Sequence, residues 1–181
     1  MSTAPRYVPH YTVEDYRRWE GDWELIEGVP ISMSPSPFGP HERVVSEIAR
    51  QLGNEVIKNE CPCRVYTNLD WIVSDDTVVR PDVMLVCGDQ PERHLERAPS
   101  IVVEVLSDST RDRDLSVKQS LYAENHVQHY IVADPQRRSI EYATSRGGEV
   151  QLEQAAESLE LILDDDCRIR LDCSGVFDGE A

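Results

Sequence analysis

Long apolar runs are missing from this chain. Its hydrophobic residues make up 40% of the total, yet no stretch approaches the ~18 consecutive apolar positions that a membrane helix requires. The opening "MSTAPRYVPHYTVEDYRRWE" also lacks the apolar segment of a secretory signal, so a cytoplasmic location with no membrane partner is the expectation. Basic residues are scarce. Eighteen Lys and Arg stand against 34 Asp and Glu, a formal net charge of −16. An acidic surface repels a nucleic-acid backbone, which disfavours loose, non-specific binding. "RRWE", "RVYTN" and "QRRS" are isolated basic spots rather than a stripe. There are no internal repeats and no low-complexity segments. Cysteine is limited to five residues in 181. A chain of this length is no disulfide miniprotein, so free thiols partly in the core are expected. Neither Cys61-x-Cys63 nor Cys167-x5-Cys173 has a usual zinc spacing.

The length suits one domain with one core. An N-terminal arm with a short helix occupies residues 1–20, with Thr12 capping "VEDYRRWE" and Asp15 in the capping-box position. The core then runs from about 21 to 175. "DWELIEGVPISMSP" reads as a hairpin about Glu27-Gly28, and "SPSPFGP" breaks structure. Pro40 opens a helix in which Val44, Val45, Ile48, Leu52 and Val56 form one apolar stripe. Residues 63–74 alternate like a single strand, and "SDDTVV" turns the chain. "PDVMLVCG" is a short strand and "DQPERHLERAPS" a charged loop. "IVVEVLS" is the most strand-like run of all. A helix from Ser109 or Thr110 to about Asn125 leads to the strand "VQHYIVADP". Strand, helix, strand over 101–132 makes a βαβ unit with parallel strands. "RRSIEYATS" and "EVQLEQ" form a hairpin, and "LELIL" and "CRIRLD" end the chain. The fold class is α/β, with a mixed central sheet flanked by helices.

Three charges sit where apolar residues belong. Glu104 interrupts a strand that is apolar on both faces, and an unpaired carboxylate there costs several kcal/mol, of order 5. Asp82 follows Pro81 at the mouth of "VMLV". Lys118 shares a helix face with Leu115 and Tyr122, the apolar face, so it points towards the sheet. Each has an ordinary alternative: a strand-end glutamate reaching solvent, a turn aspartate, and a lysine whose stem covers apolar surface while it pairs with Asp114. Together they suggest a charge argument. Two carboxylates and one ammonium leave one negative charge over, and a divalent cation with waters would compensate it.

"VRPDVMLV", "IVVEVLSDSTRDRDLSVKQSLYAENHVQHYIVADP" and "WELIEGVPISMSPSPFGPHERVVSEI" resemble the Uma2 (DUF820) family of the PD-(D/E)XK nuclease superfamily. The likeness spans roughly 11–175 and is most specific at 80–82 and 102–135. It implies a restriction-endonuclease-like core and a catalytic set of Asp82, Glu104 and Lys118. Asp82 and Glu104 would hold Mg²⁺ or Mn²⁺. The lysine has moved from its usual place two residues after the glutamate, here Leu106, to the following helix. Glu24 and His41 match further recurrent positions. Arg111 and Arg113, at the start of the same helix, are candidates for a phosphate, with pairing to Asp112 and Asp114 as the alternative. In "NHVQHYIVADP", Gln128 and His129 replace the family's proline and glutamate. The implied activity is metal-dependent hydrolysis of DNA, or of RNA; a homodimer is expected because symmetric dimers are the commonest assembly, and one would suit cutting two strands. A non-catalytic dimeric binding module on the same fold is the competing expectation, favoured by the charge.

Overall fold

The computed structural model describes residues 9–33, 39–107, 114–144, 151–163 and 167–178. Helix α1 (Val13–Tyr16) is a single turn closed by the Thr12–Asp15 capping box. Strands β1 (Trp23–Ile26) and β2 (Val29–Ser32) form the expected hairpin. Its turn places Glu27 and Gly28 at φ 49° and 76°, the left-handed pair that two-residue hairpin loops favour. Helix α2 (Gly39–Lys58) buries the whole predicted stripe.

The alternating stretch 63–74 is two strands, not one. β3 (Cys63–Thr67) and β4 (Trp71–Ser74) belong to different sheets, and Asn68 turns the chain between them at φ 54°. Alternation reports a half-buried strand but is blind to which sheet it joins. "SDDTVV" is likewise more than a turn, since it ends in strand β5 (Thr77–Val79). Strands β6 (Val83–Cys87), β7 (Ile101–Val105), β8 (His129–Asp134), β9 (Ser139–Thr144) and β10 (Glu153–Gln154) follow. Between β7 and β8, residues Asp114–Lys118 form one π-type turn that passes into α3 (Gln119–Glu124). The predicted start of that helix, with Arg111 and Arg113, lies outside the described residues. β11 (Ser158–Ile162) and β12 (Arg168–Asp172) close the chain, followed by a 3₁₀ turn at Gly175–Phe177.

The central sheet has the order β10-β9-β8-β7-β6-β3. It is mixed, with β7 and β8 parallel and every other pair antiparallel. One face packs against α2 and the β11–β12 hairpin. The other meets a four-stranded sheet, β2-β1-β5-β4, and α3. The outer face of that smaller sheet is covered by α1 and the aromatic residues around it. The period of 2 then sorts β1: Leu25 joins the α1 layer, while Glu24 and Ile26 turn inward between the sheets.

The cysteine expectation is overturned. Cys61 pairs with Cys167 and Cys63 with Cys87, leaving Cys173 as the free, buried thiol. Pairing is a matter of register. Cys63 and Cys87 stand directly opposite on β3 and β6, which their sequence separation of 24 conceals. Among the described residues no helix is long and apolar enough to cross a membrane.

Candidate active site

Every residue of β7 is buried, Glu104 included at 3% exposure. Its neighbours Val103 and Val105 face α2, so Glu104 faces the space between the sheets, with Val102. Glu24 enters the same space from β1 at 0% exposure, and Lys118 enters from the end of the π-type turn at 2%. The lysine Nζ lies 2.9 Å from Glu24 Oε1 and 2.9 Å from Glu104 Oε1. A π-type turn is itself a frequent mark of a functional position.

Among the described residues, two further groups join this cluster. The Tyr122 hydroxyl, one helical turn beyond Lys118, donates to Glu104 Oε1 at 2.5 Å. Burial, then the Glu104 carboxylate, push its pKa well above the ordinary phenol value. The Arg80 backbone N–H donates to Glu24 Oε1 at 2.9 Å, and its guanidinium is held by Asp70 and Asp22, each at 2.7 Å. That arginine directly precedes the Pro81-Asp82 step.

Asp82 stands at the rim. Val83 pairs with Val103 across β6 and β7, so one further antiparallel step sets Asp82 opposite Glu104. Its Oδ2 accepts from the Val105 N–H at 2.7 Å and lies 3.5 Å from His41 Nε2, at the start of α2. Burial pulls the His41 pKa down, but the Asp82 and Glu42 carboxylates outweigh it, and the net shift is upward.

The expected pairing of Lys118 with Glu104 is present, and Glu24 takes the second place at the ammonium that the charge argument gave to Asp82. Lys118 bridges Glu24 and Glu104, whereas Asp82 is held by a backbone N–H and His41. Arg113 lies outside the described residues. Tyr122 and Arg80 were missed. Tyr122 was read only as part of an apolar stripe, although a buried tyrosine hydroxyl needs a partner. Arg80 acts through its backbone, for which side-chain type gives no signal.

An all-oxygen donor set of this kind suits a hard cation, because magnesium commonly takes one or two carboxylates and completes its shell with water and phosphate oxygens. Among the described residues no three His, Cys, Asp or Glu side chains form a ready-made metal cluster. A cation at Asp82 and Glu104 would thus depend on water or substrate oxygens for most of its shell. The concave surfaces between α2 and β12, about 490 Å³, and beside the Cys63–Cys87 bridge, about 320 Å³, are not lined by any of these residues.

The fold is that of a solved structure described as "a putative nuclease belonging to DUF820" from Anabaena variabilis ATCC 29413. The TM-score is 0.73 at 17% identity, covering 92% of this chain and 97% of that one. The family described as "Uma2: Putative restriction endonuclease" matches residues 13–172, and the chain belongs to that family. No curated protein matches the chain.

Proposed function

We propose that this protein is a metal-dependent endonuclease that hydrolyses phosphodiester bonds of DNA. The observation that carries the reading is the buried lysine at 2.9 Å from two glutamates, one of which lies across a strand pair from Asp82, in a chain of the Uma2 family. Asp82 and Glu104 would hold Mg²⁺ or Mn²⁺. When bound, such an ion polarises a phosphoryl oxygen and lowers the pKa of water. Lys118 supplies a fixed positive charge beside the negative charge that develops on phosphate, in a site where water is largely excluded. Glu24 holds that ammonium in place. His41, with its raised pKa, steadies Asp82 from α2.

The charge of −16 favours a second reading: a nuclease-fold protein that no longer cuts and acts as a dimeric binding module. One experiment separates the two. Purified protein with Mn²⁺ or Mg²⁺ is offered plasmid DNA, single-stranded DNA and RNA, beside Lys118→Ala shown to be folded by circular dichroism. The nuclease reading expects nicking of the plasmid and its loss in the variant. Equal cutting by both proteins would mean contamination, and no cutting on any substrate would leave the binding module. The plasmid's topology and the protein's mass in solution report strandedness and the dimer.

A further inference from the structure

We infer that Tyr122 is a positioning residue for the proposed nuclease, one that holds the Glu104 carboxylate in the orientation that captures a divalent cation. The inference rests on the metal-dependent reading above. Its basis is geometric. Tyr122 and Lys118 are four residues apart, and the two donors converge on the same oxygen, Glu104 Oε1, at 2.5 and 2.9 Å. A lysine alone leaves a carboxylate free to swing, because an ammonium on a four-carbon stem is a point charge with rotatable donors. A phenol on a locked ring does not.

The ring is locked. It is 0% exposed. It stacks on Trp71, with centroids 5.9 Å apart and planes 22° from parallel, and meets the edge of Tyr130 at 5.2 Å. Trp71 comes from the small sheet and Tyr130 from β8, so both sheets clamp the ring that carries the hydroxyl. The phenol's directional bond, beside the ammonium on the same oxygen, restrains the orientation of the carboxylate. Partners of this kind behind a metal-binding carboxylate set its orientation, and losing one typically costs about 10–100-fold in metal affinity or activity.

Tyr122→Phe tests this, because it keeps the ring between Trp71 and Tyr130 and removes only the donor. Mn²⁺ is titrated into wild type, Tyr122→Phe and Glu104→Gln, with free Mn²⁺ read by electron paramagnetic resonance, and plasmid nicking is measured alongside. The expected result is that Glu104→Gln loses the bound ion and Tyr122→Phe binds it about 10-fold or more weakly, with nicking partly restored at saturating Mn²⁺. A structural role alone would lower the melting temperature and leave Mn²⁺ affinity per folded molecule unchanged, and that result would overturn the inference while the nuclease reading stood. If wild type itself neither binds Mn²⁺ nor cuts, the nuclease reading falls and the inference falls with it.

Discussion

Lys118 carries two opposite consequences at the scale of a residue. Its ammonium makes Glu24 and Glu104 tolerable in a space from which water is excluded. Removing one partner from a buried ion cluster is more damaging than never having built it, because a bare charge remains. Lys118→Met should therefore destabilise the fold by about 3–5 kcal/mol, measured by urea denaturation. Adding Glu24→Gln to that variant should recover part of the loss, since it removes one of the stranded charges. Strict additivity of the two substitutions would contradict the pairing. The inward direction of Lys118 was legible from its place among Leu115 and Tyr122. Its partner Glu24 lies 94 residues away by number, and no local pattern joins them.

Among the elements, β7, the π-type turn and α3 act as one unit with β8. The parallel pairing of β7 and β8 was legible because a strand, a helix and a second strand close in few ways. The attachment of the β11–β12 hairpin was not. Besides its apolar contacts and its bonds to α2, the hairpin is tied to β8 by His129, which stands where the family carries glutamate. The Nε2–H of this buried residue donates to the Ile162 carbonyl at 2.9 Å, while Nδ1 meets the Thr144 hydroxyl at 3.2 Å. His129→Leu strands that carbonyl and should cost about 1–3 kcal/mol, read as a lower urea midpoint. Nicking by the folded fraction should be unchanged, because His129 touches none of Glu24, Asp82, Glu104 or Lys118 by any of these bonds. A stability equal to wild type would show that the apolar contacts and the bonds from α2 hold the hairpin without His129.

For the molecule as a whole, the two disulfides alter what the chain must withstand. Cys61–Cys167 closes a separation of 106 residues, a constraint on the unfolded chain worth about 4–5 kcal/mol in the loop-entropy account. Denatured, unreduced protein should show one reactive thiol, Cys173, and five after reduction. Reduction should also lower stability by a few kcal/mol, about 4. Five reactive thiols without reductant would remove the bridges from the fold. Disulfides persist mainly in oxidising compartments, so the thiol count also bears on the cytoplasmic expectation drawn from the N-terminal sequence.

Periodicity and turn chemistry, which are local, determined the elements: the α2 stripe, the Glu27-Gly28 hairpin, the βαβ unit and the mixed α/β class. The same patterns determined that the charged residues within an apolar strand and on the apolar face of the following helix needed a reason. Tertiary structure alone decided the partners. The split of 63–74 between two sheets, the cysteine pairs, the choice of Glu24 over Asp82 beside Lys118, and the Tyr122 hydroxyl on Glu104 all depend on which faces meet. A face acquires its opposite number only when distant strands pack, and the free energy of a buried charge is set by that opposite number rather than by its neighbours in the chain.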